Sequence, residues 1–556
     1  MFAVTKIQNF FRGEWKYIHI IYAFIFLLLV ANIFLNPYHD WDLDHEIYFG
    51  DRLISGELIW TKEFHDKFPI VPFFLAIPAY FKSVKLFSLI SLLFICLSCV
   101  VACSIIPKIL NMKGNEREIV YFYSVLYLGL IYFTYGSTET INAISVSLYV
   151  ISFLFIFQSN TNAPDSKYYP SLSSLMWGGS SGALAISIRP YYFVALAGVI
   201  LSSIVLGRIL GQTRNKSLYI QCIKILGLWV LAIGLWGFIF NALPYILTGQ
   251  FSAFCDGLLM FRQHINPLSG KHDFFVLAKR VPSIFFWITW IFMSICVLIC
   301  VFRNVTILKR NEVKLFIASF ISLLLIIIHM CLEHYWAHYM QLFIGNFCLC
   351  VVSFIMVEKN IIQSQNYTPL IKFRYYKNIL YILQASFVFF LFVNTAKTLH
   401  NLRAAQKNNV AALNTPDKSW EVISFNAYLN ENYTTTRPSF LFPDSMKAHW
   451  FFSEPRHGFP HSANTNHVFL GWWKHISFKS KNFLNPVDDK HYCTLINASE
   501  IELVILKPDS LVLPCFSSGK TQYNLNTVLE NGGEKLLIYK RLPPPENSPL
   551  VNAHPQ

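Results

Sequence analysis

Long apolar runs separated by short polar stretches dominate the first two thirds of the chain. Each run has roughly 17 to 25 residues, enough to cross a bilayer as a helix at 1.5 Å per residue. One further apolar stretch, Phe68–Phe81, is short and contains three prolines, so we expect it to lie at the outer interface instead of spanning. The pattern predicts about eleven spans, near Ile18–Leu35, Leu86–Ile106, Ile119–Phe133, Ile141–Phe157, Leu172–Ile188, Tyr191–Leu206, Leu218–Ala242, Val281–Phe302, Leu315–Leu332, Met340–Val357 and Ile379–Val393.

The pattern changes after residue 397, where the composition becomes that of a soluble protein. Trp420–Leu429 has the apolar spacing of a helix. Short strands are predicted between turn residues, at Ser439–Phe442, His467–Leu470, Ile501–Leu506 and Lys535–Tyr539. The predicted fold class is therefore a polytopic α-helical membrane protein, residues 1–397, with a C-terminal soluble α/β domain, residues 398–542. Residues 543–556 are rich in proline and are predicted to be disordered.

The charges orient this arrangement in the membrane. Only 14% of the 556 residues are charged, the net charge is +14, and the Lys and Arg residues concentrate in alternate short loops. The positive-inside rule places those loops and the N-terminus in the cytoplasm. The outer side then receives the loops 36–85, 135–140, 243–280 and 333–339 and the C-terminal domain. We therefore expect a multi-pass protein, more plausibly of a bacterial inner membrane than of the endoplasmic reticulum, with a periplasmic C-terminal domain. Nucleic acid is not expected as a partner, because no basic face with stacking aromatics occurs outside the spans.

The first outer loop concentrates acidic residues directly after a predicted span: Asp40, Asp42, Asp44, Glu46 and Asp51. A single acid there could cap a helix, but several carboxylates beside a membrane indicate binding or catalysis. The same loop continues to Asp66-Lys67-Phe68-Pro69. An acid and a base ahead of an interfacial helix can hold a charged lipid headgroup, although a snorkelling lysine would give the same pattern.

Later outer segments add further candidates. Glu139 lies in a short turn between two spans, where an ionisable group is usually functional or paired. Arg189 precedes Pro190 at another outer boundary, and a guanidinium can bind phosphate oxygens in a bidentate fork. His334 and His338 are four residues apart but lack a recognisable zinc motif, so no metal ligand is assigned, although a divalent cation stays possible. Cys493 and Cys515 lie in the tail and could form a disulfide in an oxidising compartment.

Taken together, these motifs resemble the GT-C superfamily of membrane glycosyltransferases, in particular the polyprenyl-phosphate-sugar-dependent branch of the protein mannosyltransferase and lipid A aminoarabinose transferase type (glycosyltransferase family 39). The resemblance covers roughly the first 360 residues in order. It rests on the segment from Asp44 through Tyr48 to Gly56, on Asp66–Pro69, on Glu139, on Arg189-Pro190 and on His338-Tyr339. The sequence departs from that branch where His45 follows Asp44 in place of Glu, and where Asp66 replaces Glu before the lysine.

This resemblance implies transfer of a sugar from a polyprenyl-phosphate carrier to an acceptor hydroxyl of a cell-envelope glycan, lipid A or a protein. Asp44 would be the base or the acid that orients the acceptor, and Asp42 is the alternative. Glu139 would position the acceptor or the sugar. Lys67 and Arg189 would bind the phosphate. Further binding candidates are Asp66, Tyr48, His338 and Tyr339.

Two other functions fit a chain of this kind. A transporter would place ionisable groups near the middle of the membrane and often shows paired repeats with broken helices, whereas the predicted spans here contain few charges. An envelope polysaccharide polymerase or ligase would share lipid-linked substrates but is expected to need a diphosphate-linked donor. The sequence specifies neither the sugar nor the acceptor.

Overall fold

The computed structural model describes most of the predicted helical region and part of the tail. The described residues are 18–35, 49–61 with gaps, 67–81, 84–112, 118–133, 141–161, 169–209, 216–265, scattered positions between 290 and 301, 305–332, 341–357, 420–433, 440–441, 502–517 with gaps and 522–543. The chain divides into two compact units. The first contains Met1–Leu58, Asp66–Phe251 and Ile265–Val410, and the second contains Ile59–His65, Ser252–His264 and Ala411–Gln556.

Helices make up almost all of the described part of the first unit. They are α1 (Ile18–Leu35), α2 (Val71–Tyr80), α3 (Val84–Ile109), α4 (Glu118–Phe133), α5 (Ile141–Thr161), α6 (Leu172–Ile188), α7 (Tyr191–Ile204), α8 (Lys216–Asn241), α9 (Leu243–Leu247), α10 (Phe251–Ile265, mostly in the second unit), α11 (Asn311–Leu332) and α12 (Ile344–Val357). A π-helical turn, Val205–Ile209, follows α7.

Each predicted apolar run that the structure describes corresponds to a helix, whereas α9 and α10 lie in the segment predicted as the loop 243–280. Four are long and apolar enough to cross a membrane by themselves: Lys85–Ile109, Ile141–Thr161, Tyr219–Asn241 and Asn311–His329. Shorter apolar helices occur at Tyr22–Ala31, Val71–Tyr80, Val120–Ile131, Tyr191–Gly207 and Gln341–Val357. Ile379–Val393 and most of Val281–Phe302 lie outside the described residues, so the predicted number of eleven spans stays a prediction.

Helix α5 is the centre of the first unit. Of its membrane-spanning window, 89% is buried, against 11% for α8, whose side chains therefore face the surroundings of the bundle. Helix α5 packs on α3, α6, α7 and α12. Its buried polar groups are paired inside the bundle, as an apolar solvent requires. Tyr149 Oη, for example, donates to Asn346 Oδ1 at 2.9 Å and also bonds to the hydroxyl of Ser322.

Helix α2 is too short to span. Its ten residues extend about 15 Å at the α-helical rise, roughly half the hydrocarbon thickness of a bilayer. Prolines lie in its first turn and at Pro78. Its backbone also touches the first outer loop, since a Cβ added to Gly50 would lie 2.5 Å from the carbonyl carbon of Leu75. The expectation that Phe68–Phe81 does not cross the membrane agrees with this length.

The second unit contains a small mixed sheet. It is built from α13 (Trp420–Asn432), β1 (Phe440–Leu441), β2 (Leu503–Leu506), α14 (Leu513–Ser517), β3 (Tyr523–Asn531) and β4 (Glu534–Arg541). The strand order is β1-β2-β4-β3, with β1 parallel to β2 and the other pairs antiparallel. Alternate residues of β2 join separate apolar clusters: Leu503 and Ile505 pack with α13, whereas Val504 and Leu506 pack with Phe516 of α14. Strand β2 is thus covered on both faces.

Three of the predicted strands and the predicted helix are present in this unit. The fourth predicted strand, His467–Leu470, and the predicted disordered end, except for Pro543, lie outside the described residues. Strand β3 was not predicted. Cys515 is disulfide-bonded to a partner outside the described residues, whereas Cys255 is a free and exposed thiol.

A tight contact in the second unit joins pieces of the two long segments that are predicted to lie on the outer side, 36–85 and 243–280. Trp60 is fully buried and adopts a φ of 67°, a left-handed conformation that is uncommon for a bulky residue. Its ring lies 5.9 Å from that of Phe254 on α10. It also covers Gly257, where an added Cβ would lie 2.4 Å from the indole. Only glycine fits at that position without a shift of Trp60.

Candidate functional site

The junction between α6 and α7 places Arg189. Helix α6 begins after Ser171, whose hydroxyl accepts from Ser174 N at 3.1 Å, and it ends at Ile188. Pro190 disfavours a helical conformation in the residue before it, and Arg189 is extended, with φ −139° and ψ 102°. Pro190 then caps α7. The Arg-Pro pair therefore ends one helix and starts the next. We call Arg189–Tyr192 the α6–α7 corner.

The side chain of Arg189 is held against the start of α5. It is only 7% exposed, and its Nε donates to Asn142 Oδ1 at 2.5 Å. Asn142 is fully buried in the first turn of α5, three residues after Glu139 in the sequence. A bond through Nε fixes the plane of the guanidinium, and a fixed plane favours bidentate binding of a phosphate or carboxylate.

A single amide links the corner to the segment that carries Lys67. Asn241, the last residue of α8, accepts from the backbone nitrogen of Ile70 at 3.2 Å through Oδ1. Its Nδ2 donates to Ser187 Oγ at 2.9 Å. Ile70 lies three residues after Lys67, and Ser187 lies two residues before Arg189. Lys67 is itself 8% exposed. Two buried cations are thus attached to elements that share one hydrogen-bonding side chain.

The other side of the corner contacts the segments around the late outer turn. Tyr192 Oη donates to the carbonyl oxygen of Leu342 at 2.9 Å, three residues after Tyr339 in the sequence. The ring of Tyr191 meets that of His329, at the end of α11, edge to face with centroids 5.0 Å apart. The corner therefore touches the residues on both sides of the predicted turn 333–339.

The structure describes two of the predicted site residues, Lys67 and Arg189, and both are buried at neighbouring elements. The remaining candidates lie outside the described residues: Asp42, Asp44, Tyr48, Asp66, Glu139, His338 and Tyr339. Their roles stay predictions. Residues close to them in the sequence, Asn142 and Leu342, nevertheless bond directly to the corner. Gly50, which follows Tyr48 and Phe49, packs on α2, the helix that begins after Lys67.

Metal ligands do not cluster in the described part of the chain. Among the residues that the structure describes, His, Cys, Asp and Glu side chains form no group of three or more suited to a metal ion. The acidic candidates of the first outer loop lie outside that part, so the possible divalent cation also stays a prediction.

Sequence reasoning missed three residues that build this arrangement: Asn142, Asn241 and Tyr192. Each is a polar residue near one end of an otherwise apolar helix, where a buried side chain without a partner would be costly. That position was the available signal for the two amides. Tyrosine gave no comparable signal, because it is common at membrane boundaries for other reasons.

No protein-family model matches the chain, and no curated protein does. Among solved structures, the chain is similar to the crystal structure of ArnT from Cupriavidus metallidurans bound to undecaprenyl phosphate. The TM-score is 0.53 at 10% sequence identity, and the alignment covers 95% of this chain and 98% of that one. At this identity the likeness concerns the fold. The chain therefore has an ArnT-like fold along nearly its whole length.

Proposed function

We propose that the protein is a membrane glycosyltransferase that moves a sugar from a polyprenyl-phosphate carrier to an acceptor hydroxyl at the outer boundary of the membrane. The observation that carries the proposal is the α6–α7 corner. It presents a buried arginine and is hydrogen-bonded to the helix that follows Glu139 and to the segment that follows Tyr339. Through Asn241 the helix leading to the corner is joined to the segment that carries Lys67. The ArnT-like fold, seen in a crystal with undecaprenyl phosphate, supports the same choice of donor.

Lys67 and Arg189 are the proposed phosphate ligands. A lipid phosphate at this boundary carries negative charge, which a guanidinium and an ammonium can bind through charge-assisted hydrogen bonds. During transfer, the bond between the anomeric carbon and the phosphate oxygen breaks, and its electron pair leaves with the phosphate. Fixed cations stabilise that growing charge without reorganising at the moment of reaction.

The first outer loop supplies the proposed base. The acceptor oxygen attacks the anomeric carbon while Asp44, or Asp42 in its place, takes the acceptor proton. Glu139 positions the acceptor or the sugar. A lipid-linked donor held at the membrane boundary meets its acceptor in a restricted orientation, which lowers the entropic part of the barrier. The acceptor would be an envelope glycan, lipid A or a protein, on the periplasmic side of an inner membrane.

The proposal is tested with the full-length protein in proteoliposomes that contain undecaprenyl-phosphate-linked sugars and lipid A. Release of undecaprenyl phosphate and glycosylation of lipid A are measured by mass spectrometry. Lys67→Ala should lower kcat/KM about 100-fold, because it removes one of the two cations proposed to stabilise the leaving phosphate. Lys85→Ala is the matched control, since Lys85 is exposed and its Nζ bonds only a backbone carbonyl, that of Phe34, at 3.1 Å; its activity should stay within about twofold.

Parallel variants separate the two acids and the competing functions. Asp44→Asn should abolish transfer, and normal transfer by that variant would assign the base to Asp42. Unchanged transfer by Lys67→Ala, or by Asp44→Asn and Asp42→Asn together, would contradict the mechanism. Substrate flux into vesicles without glycosyl product would indicate a transporter. Turnover of diphosphate-linked donors alone would indicate a polymerase or ligase.

A further inference from the structure

Asn241 is a buried polar residue at the end of a helix that is largely exposed. It is the last residue of α8 and is 4% exposed. Both atoms of its carboxamide are engaged: Oδ1 accepts from Ile70 N, and Nδ2 donates to Ser187 Oγ and to the Gly237 carbonyl oxygen at 2.9 Å. The bond to Gly237 stays within α8. The other two reach different elements of the first unit.

Those two bonds end on the backbone beside each proposed phosphate ligand. The N–H of Ile70 precedes the first turn of α2 and needs a partner outside that helix. The hydroxyl of Ser187 donates to the Ala183 carbonyl oxygen at 2.8 Å and so uses a lone pair to accept from Asn241. A neutral amide can accept from one element through its oxygen and donate to the other through its nitrogen at the same time. Any change in it alters the spacing between the two elements.

We propose that Asn241 is a positioning residue that sets the separation of Lys67 and Arg189, so that both contact the same lipid phosphate. This inference rests on the proposed function. Charge–charge attraction depends on distance, and a displacement of about 1 Å is enough to lose most of the benefit of a preorganised cation pair. Asn241 reaches no substrate itself. It acts through the elements that carry the two cations.

The inference predicts a defect that is specific for phosphate. In Asn241→Ala both bonds between elements are lost, and the phosphate meets one cation in good geometry instead of two. Affinity for undecaprenyl phosphate should fall about tenfold, the effect of losing one charge-assisted contact. Affinity for undecaprenol, which has the same chain without the phosphate, should not change. A general loosening of the bundle would weaken both lipids alike.

Asn160→Ala is the matched control. Asn160 is also fully buried and also joins helices: its Nδ2 donates to Ser203 Oγ at 2.8 Å, and its Oδ1 accepts from Trp229 Nε1 at 3.4 Å. It lies at the opposite end of α5 from Asn142. Its removal should lower thermal stability as much as Asn241→Ala does, without changing the preference for undecaprenyl phosphate over undecaprenol.

The experiment measures binding of both lipids to the purified full chain by native mass spectrometry, for the wild type, Asn241→Ala, Asn160→Ala, Lys67→Ala and the double variant of Lys67 and Asn241. Asn241→Ala should lose the preference for undecaprenyl phosphate, and Asn160→Ala should keep it. The double variant of Lys67 and Asn241 should show no further loss beyond that of Lys67→Ala. Should Asn241→Ala fail to insert, Ser187→Ala removes one of the two bonds and should show a partial loss.

Three results overturn the inference and leave the proposed function standing. The preference for undecaprenyl phosphate over undecaprenol could be the same in the wild type and Asn241→Ala, it could fall equally in Asn160→Ala, or its losses could add up in the double variant. A wild type that binds undecaprenyl phosphate no better than undecaprenol overturns both.

Discussion

At the scale of single residues, the corner requires an arginine and not only a positive charge. Nε of Arg189 donates to Asn142, so one nitrogen of the guanidinium fixes the plane of the group in which the proposed phosphate would bind. A lysine has one nitrogen at the end of a flexible stem, and the same atom would have to meet both Asn142 and the phosphate. The buried amide beside the arginine therefore explains the choice of cation.

We expect Arg189→Lys to keep less than about a tenth of the wild-type kcat/KM for the sugar donor, because it loses the bidentate geometry while keeping the charge. Arg310→Lys is the control, since Arg310 is partly exposed and its ion pair with Glu312, at 3.7 Å, needs only a charge. Donor turnover is measured under single-turnover conditions. Activity of Arg189→Lys equal to that of Arg310→Lys would show that charge alone suffices.

At the scale of elements, α2 packs against part of the predicted first outer loop. The close approach of Gly50 to the backbone of Leu75 leaves no room for a side chain. The loop residues near Tyr48 and the helix that follows Lys67 therefore have a fixed relation that any Cβ would disturb. This contact connects two of the predicted site segments without involving a charged group.

Gly50→Ala should lower transfer activity at least about tenfold, because overpacking against backbone forces a shift that costs about 1–3 kcal/mol. Gly234→Ala serves as the control, because an added Cβ there meets no atom within 4 Å and alanine favours a helix. Activity and thermal stability are measured side by side. Wild-type activity in Gly50→Ala would mean that the loop adapts and does not depend on this packing.

Helix ends in this chain could be predicted wherever the stop signal is local. The prediction Leu172–Ile188 equals α6 because Ser171 and Pro190 bracket it. Strand β3 could not be found in this way. Among its nine residues only Tyr523 is buried, and its polar and apolar residues do not alternate regularly enough to mark a buried face. Its place in the sheet comes from pairing with β4, which shows a clear apolar pattern.

The candidate site residues also differ in whether a local sequence signal marks them. Arg189 and Lys67 could be named from sequence, because charges beside apolar runs stand out. The role of Asn241 could not, because its two partners lie 171 and 54 residues away in the chain. A hydrogen bond over such a separation leaves no periodicity or spacing in one sequence.

At the scale of the whole molecule, two kinds of residue bear on the predicted direction of insertion: the charged residues of the loops and the cysteines of the tail. The positive-inside rule predicts that the tail lies outside the cytoplasm. Cys515 is disulfide-bonded, and disulfides persist mainly in oxidising compartments. These two observations are independent, because one depends on Lys and Arg in the first unit and the other on sulfur in the second. Cys493 is the partner that the sequence predicts.

The pairing and the orientation can be tested together. In intact cells, a membrane-impermeant maleimide should label Lys535→Cys made in a Cys255→Ser background, because the side chain at position 535 is half-exposed. Peptide mass spectrometry without reduction should recover Cys493 cross-linked to Cys515. Cys493→Ser and Cys515→Ser should each lower the stability of the second unit by about 2–4 kcal/mol, and the double variant no further, because one cross-link is lost in all three. Cys255→Ser is the control, since that thiol is free and exposed. Labelling of the cysteine at position 535 only after the cells are opened would place the tail in the cytoplasm and would overturn the outer location of the whole proposed site.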